Sequence, residues 1–507
     1  MAAAAAEREE VEPPSDSKLE DDRSDAPPIA EVFDKIGFGY GQVKVGLCGG
    51  GVWFADGTEL LLISSVGDQV AEEWGMSASQ KGFIVTAVYL GILIGNVSSG
   101  PLGDNLGRRL MILISYAGIF AFGWLSSYAT GFGSLAGARI IVGGFIGLGQ
   151  PAWNALGAEI SPPAWRMATQ ACSQGLFPLG EIYAAVLLIM DNPELINLHW
   201  RDLLRLGALP ALILLFFGGL FLRESPSFLA LKGRNQEAHA VLKGFNRDNI
   251  WVSGGDEIDV AFQKPPPPPD AASRWEAAMS QVNVVFSRRM YPSTLNVMYS
   301  CFCLNLAYYG TLYAFPTVLA EVLTSSSAAS ELLVGALWEI VGIIIAFTVG
   351  LAMPRKTAIK TYLCLSVTSL ILFCIGGSVD TDNFFMEAIV KLGYYGTKVF
   401  VSMGYIIVYQ YATEIYPTPA RITGSALNMA AGRIASMLAP LVYEWTAEAT
   451  GSFLPFFLSI ATCMTLNALA VDWLRYETSG VALSEHAEDE EDSPISDTPS
   501  GEKGKDL

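Results

Sequence analysis

The sequence predicts an all-α membrane protein of twelve transmembrane helices, in two six-helix bundles related by pseudo-two-fold symmetry. Three observations carry this. Hydrophobic residues make up 51% and charged residues 16% of the 507, with a mean hydropathy of +0.37, a balance that suits lipid as the solvent. Twelve apolar stretches fall six and six around a polar segment, 223–292, each near the roughly twenty residues a helix needs to cross about 30 Å of hydrocarbon. Finally, the pattern E-I-x-P-x-x-x-R follows the fourth stretch, at Glu159 to Arg166, and returns after the tenth, at Glu414 to Arg421. Repeated halves of this kind mark carriers with a solute site between them.

The elements are taken in chain order. Residues 1–36 form an acidic tail, with eleven acids against three bases in 1–34. Its few large apolar groups cannot offset the entropy of ordering, so it reads as disordered. No basic stretch leads into a short apolar run, and no cleavable signal peptide is expected. Residues 37–222 hold spans near 43–66, 83–103, 109–129, 133–158, 168–190 and 203–222. The linker, 223–292, contains the stiff run Pro265 to Pro269. There Ser225 as N-cap with Pro226 after it opens one short helix; Asn235 caps a second with Val241, Leu242 and Phe245 on one face. Residues 293–475 hold spans near 293–320, 331–352, 358–378, 387–413, 420–445 and 451–474. Residues 476–507 close the chain as a second disordered acidic tail, with ten acids against two bases in 477–507. The tails supply most of the net charge of -19. The membrane body is therefore nearly neutral, and the total says nothing about a charged partner.

Orientation follows from Lys and Arg in short loops. One set carries Arg108, Arg109, Arg166, Arg355, Lys356, Lys360 and Arg421; the opposite set is mostly acidic. Both tails and the linker are then cytosolic. Each E-I-x-P-x-x-x-R copy is preceded by a base in its own span, Arg139 or Lys398, at separations of 20 and 16 residues. Proline ends the helix, Glu sits in its last turn, and the Arg beyond reaches back or across to carboxylates of a neighbouring bundle. Glu159, Arg166, Glu414 and Arg421 are thus candidates for a cytosolic gate, against the plainer reading of interfacial pairs that orient the loops. Seven cysteines lie mostly in apolar stretches without paired spacing, and three histidines lie in loops or tails. No metal, cofactor, nucleic acid or enzymatic chemistry is indicated. A monomer is expected.

At these residues the sequence resembles the major facilitator superfamily, in the branch of sugar porters, organic-ion porters and synaptic-vesicle-related carriers. Gly100-Pro-Leu-Gly-Asp104-Asn-Leu-Gly107-Arg108-Arg109 matches the superfamily's G-x-x-x-D-x-x-G-R-R loop. The segment Arg223-Glu224-Ser225-Pro226-Ser-Phe-Leu is similar to the porters' P-E-S-P-R-[WY]-L, departing at Arg223 and Ser227. The resemblance adds Asp104, Arg108, Arg109 and Glu224 to the gate. The second-half loop, Gly350 to Lys356, lacks the Asp, so a weaker latch is expected there. Gly37 to Gln42, Ala55 to Glu59, Tyr308 to Gly310 and Gly424 to Ile434 look more like synaptic-vesicle-related and niacin-type carriers than sugar porters. The resemblance implies the major facilitator fold and transport of a small solute.

Ionisable groups inside spans are costly and usually face a cavity. Asp56 and Glu59 lie three apart in the first span, Glu181 is in the fifth, Glu339 in the eighth and Arg433 in the eleventh. Groups suited to polar recognition are Gln150, Trp153 and Asn154 in the fourth span, Asn305, Tyr308 and Tyr309 in the seventh, and Asn428 in the eleventh. Each amide or aromatic also has a packing role available to it, as interhelical glue. The sequence therefore points to secondary transport of a small polar or charged solute, coupled to protons through Asp56 and Glu59 with Arg433 as their counterweight. A uniporter, a channel, or a receptor built on the same fold are the alternatives.

Overall fold

Backbone amides in hydrocarbon find no water to bond, so each apolar stretch closes its hydrogen bonds along the chain as a helix. The computed structural model describes residues 27–250, 261–263, 271–323, 325–379, 384–416, 420–474 and 477–478, which form helices and no strand. Pro265 to Pro269, Pro417 and the outer parts of both tails lie outside the described residues. The chain runs α1 (Ile29–Ile36), α2 (Tyr40–Trp74), α3 (Ala78–Leu106), α4 (Arg108–Ser126), α5 (Phe132–Ile160), α6 (Arg166–Gln174), α7 (Leu176–Asp191), α8 (Trp200–Phe221), α9 (Pro226–Leu231), α10 (Asn235–Asp248) and α11 (Ala271–Val285). It continues through α12 (Tyr291–Val322), α13 (Ala328–Ala352), α14 (Arg355–Gly377), α15 (Phe384–Glu414), α16 (Arg421–Thr450) and α17 (Leu454–Ala470). With α6 and α7 counted as one span broken at Gly175, this is the expected six and six.

Two units result: residues 1–74, 87–191 and 197–268, and residues 75–86, 192–196 and 269–507. Eight helical segments among the described residues are long and apolar enough to cross a membrane. The long helices that fall short of that test are α2, α12, α15 and α16, and each carries polar or ionisable groups in mid-span. A helix less apolar than its neighbours yet equally long must turn its polar groups inward.

Glycine sets the closest approaches in unit 1. A Cβ at Gly91 would stand 2.0 Å from the Ile140 carbonyl oxygen, and at Gly147 2.2 Å from that of Ile92, so α3 and α5 meet backbone to backbone. The same holds for α2 and α7, where a Cβ at Gly57 would lie 2.2 Å from the Phe177 carbonyl oxygen and one at Gly180 2.1 Å from that of Phe54. Small residues permit this contact, which in lipid replaces the hydrophobic effect as the source of helix association.

The acidic tails are shorter than their composition suggests. α1 lies inside the expected tail, yet Ile29, Val32, Phe33 and Ile36 share one buried face, and Phe33 packs edge-on to Phe245 of α10 at 5.4 Å. The net acidity of the segment hides this i, i+3, i+4, i+7 pattern. In the linker Ser225 caps α9 by accepting from the Phe228 amide at 3.2 Å. Asn235 does not cap α10. Arg234 holds that position without a side-chain capping bond, its guanidinium pairing with Glu237 instead, while Leu242 and Phe245 are buried as the pattern predicts.

Candidate functional site

In unit 1 the two first-span acids both meet α5. Gln150 donates to Asp56 at 2.8 Å, and Arg139 donates to Glu59 at 2.5 Å and to the Ser126 hydroxyl at 2.6 Å. Asp56, Glu59, Gln150 and Arg139 are all buried. The counterweight expected of Arg433 is thus supplied to Glu59 by Arg139, which spans the short gap between neighbouring helices of one unit. Glu59 Oε1 and Arg139 Nε have no partner among the described residues. A buried ion pair gains from its attraction only when its remaining atoms are also satisfied, and this one is satisfied in part. Glu181 is buried beside Gly180 at the α2–α7 crossing. Trp153 fills the space left by Gly49, whose Cβ would lie 2.3 Å from its ring, and so packs α5 on α2. Asn154 accepts from Gln170 through its backbone carbonyl at 2.7 Å.

At the basic end of unit 1, Glu159 pairs with Arg108 at 3.3 Å, which also lies 3.7 Å from the exposed Asp104. Arg166 turns back to donate to the Ala158 carbonyl at 3.1 Å, helping to satisfy the end of α5. Glu224 accepts from the Arg108 and Arg109 amides at 2.9 and 3.2 Å and so caps α4. Gly107 makes that cap possible: its φ is +92°, and a Cβ there would meet the Glu224 carboxylate at 2.3 Å. Arg109 donates to the Leu222 and Gly219 carbonyls at 2.8 and 2.9 Å.

Unit 2 repeats the arrangement. Glu414 pairs with Arg355 at 3.1 Å and accepts from Thr478 at 2.7 Å, while Glu477 accepts from the Arg355 and Lys356 amides at 2.8 and 3.2 Å. The loss of an Asp from the second loop therefore leaves the carboxylate clamp intact. Its members Glu477 and Thr478 stand where the sequence suggested a disordered tail. The loop arginines of the repeat, expected to reach back or across to carboxylates, do not hold these two glutamates, which pair instead with Arg108 and Arg355. These stand at the starts of α4 and α14, level with the carboxylates that end α5 and α15. Arg421 is the first residue of α16.

A second buried cluster lies in unit 2. Lys398 is 2.5 Å from Glu339, which accepts from Tyr308 at 2.8 Å. The Tyr308 ring stands 5.1 Å from Tyr309 and 5.3 Å from Tyr405. Arg433 donates to the Tyr309 hydroxyl at 3.3 Å, and Asn305 donates to that of Tyr409 at 2.8 Å. The structure thus brings Asn305, Tyr308, Tyr309, Glu339 and Arg433 together. Asn428 bonds Tyr416 and the Ala412 carbonyl, each at 3.3 Å, and joins α16 to α15. Sequence reasoning noted Lys398 and Arg139 but left them out of the site. It missed Tyr405 and Tyr409, whose signal is an i, i+4 aromatic pair in a span.

Residues 36–489 match the family of sugar (and other) transporters. The chain belongs to this family. It is 26% identical to the organic cation/carnitine transporter 7 of Arabidopsis thaliana, over 90% of this chain and 96% of that one. It is 26% identical to the synaptic vesicle 2-related protein of Rattus norvegicus, over 90% and 82%, and 25% identical to the 4-hydroxybenzoate transporter PcaK of Acinetobacter baylyi, over 76% and 80%. The partially occluded inward-open xylose transporter XylE of E. coli shares the fold, with a TM-score of 0.67 at 18% identity, over 87% of this chain and 99% of that one. The protein is a multi-pass membrane transporter of the major facilitator type and not an enzyme.

Proposed function

We propose that the protein moves a small organic acid together with a proton, by alternating access, with both termini in the cytosol. The observation that carries the coupling is the buried Glu59–Arg139 pair, satisfied in part and adjoined by Asp56 and Gln150. A guanidinium does not give up its proton in proteins, so the carboxyl of Glu59 is the member of the pair assigned to proton transfer. When it is protonated the ion pair loosens and α2 and α5 separate more easily. The solute reading rests on unit 2, where the Tyr308, Tyr309 and Tyr405 rings gather edge-on and tilted beside the Arg433 guanidinium, a set that suits an aromatic body and a carboxylate. The likeness to a 4-hydroxybenzoate transporter agrees with it. The orientation rests on the basic loops.

The test is uptake into proteoliposomes. Wild type should concentrate 4-hydroxybenzoate about tenfold across one pH unit at one proton per solute. Glu59→Gln should exchange the solute without responding to the gradient. A wild type indifferent to the gradient would make the protein a uniporter, and a Glu59→Gln variant that still accumulates solute would place the proton elsewhere.

A further inference from the structure

Two cations end in the tyrosine cluster of unit 2. Arg433 reaches Tyr309, and Lys398 reaches Tyr308 through Glu339. Lys398 stands in the second-half span that corresponds to the span of Arg139, so the two halves each carry one buried base there. Its setting differs, because its carboxylate also accepts from a tyrosine of the proposed solute site. The side chains of Glu339 and Lys398 are 1% and 7% exposed. At that depth a change of one unit charge would be felt over the tyrosine cluster with little screening. With Glu339 in place the pair is neutral, and the Tyr308 hydroxyl, which spends its proton on the carboxylate, presents its ring to the other tyrosines. The groups facing Glu339 from α15 and α12 are this ammonium and this phenol.

We infer that Glu339 is a specificity-determining residue: it masks Lys398, withdraws one positive charge from the solute site, and so sets the preference for monoanions over dianions. The inference rests on the reading of the tyrosines and Arg433 as the solute site. It goes further in assigning charge selection to a carboxylate one tyrosine removed from the solute.

The experiment is a charge series in the full chain purified in detergent, read by calorimetric binding of benzoate and of phthalate. Glu339→Gln adds one positive charge, Lys398→Gln adds one negative charge, and the double variant is neutral again. Wild type should bind benzoate more tightly than phthalate. Glu339→Gln should move the ratio of the two affinities about tenfold toward phthalate, the effect of one unit charge across roughly 10 Å at an effective dielectric of about 20. Lys398→Gln should move it about as far the other way and weaken both anions. The double variant should return to within about threefold of wild type. If Glu339→Gln does not fold, Lys398→Gln and the double variant still give the sign. A ratio that stays within about twofold in every folded variant, while wild type binds benzoate, overturns the masking role alone. A wild type that binds neither anion overturns the organic-acid reading and this inference with it.

Discussion

The Glu59–Arg139 pair yields a quantitative prediction. Both side chains are almost wholly buried and 2.5 Å apart, so removing one leaves the other as an uncompensated charge in hydrocarbon. Breaking such a pair costs about 3–5 kcal/mol, whereas replacing both members with neutral groups is close to neutral. Ser126 still holds Arg139 in the Glu59→Gln variant, which places that cost toward the lower end. Glu59→Gln and Arg139→Gln are each expected to lose about 3 kcal/mol or more, and the double variant no more than about 1–2 kcal/mol. The interaction energy of the cycle is then about 4 kcal/mol or more, above the usual range of about 0.5–3 kcal/mol for directly coupled residues. Equilibrium unfolding of the purified protein in micelles, followed by tryptophan fluorescence, measures all four. Single variants within about 1 kcal/mol of wild type, or a double variant as unstable as the sum of the singles, would refute the reasoning that this pair is both buried and mutually dependent.

Other contacts carry predictions of their own. Gly147→Val should cost about 3 kcal/mol or more and reduce the yield of monodisperse protein, because the added carbon would sit 2.2 Å from a carbonyl oxygen; Gly137→Ala, with nothing within 4 Å, is the neutral control. Glu224→Ala and Glu477→Ala should each cost about 1–2 kcal/mol in a melt, as caps of α4 and α14. Burial pushes the Asp248 carboxyl up, but its hydrogen bond to Lys44 and the charges of Arg223 and Lys44 outweigh this and hold it below the ordinary carboxylate value. A carboxyl depressed in the folded state adds stability above its unfolded value, about 4, and loses it as pH falls through the folded one. The protection factors of the α10 amides, exchange rates taken relative to the intrinsic rate at each pH, should therefore fall below about pH 4, and Asp248→Asn should remove that dependence.

The spans and the repeat were legible because length, apolarity and the E-I-x-P-x-x-x-R spacing are properties of the chain itself. Partnerships were not. Arg139 lies 80 residues from Glu59, and nothing in a single sequence states which face of α5 meets α2. Arg166 is nearer Glu159 along the chain than Arg108 is, but its side chain turns to a helix carbonyl instead. α1 was hidden by the acidity of its neighbours although its apolar spacing is present, and Glu477 by the acidity of the residues C-terminal to it. Tyr405 and Tyr409 do not stand out in the sequence because an aromatic pair in a span more often packs than binds.

Glu224 and Glu477 also bear on how force enters the protein. Each stands just past the sixth span of its unit and grips amide hydrogens at the start of the third. Mechanically each unit is a closed hoop and not an open row of staves. Tension applied to the chain leaving α17, by a fused tag or an anchoring surface, reaches α14 through a carboxylate grip near the point of attachment. Anything tethered to that terminus therefore holds a handle on two helices at once.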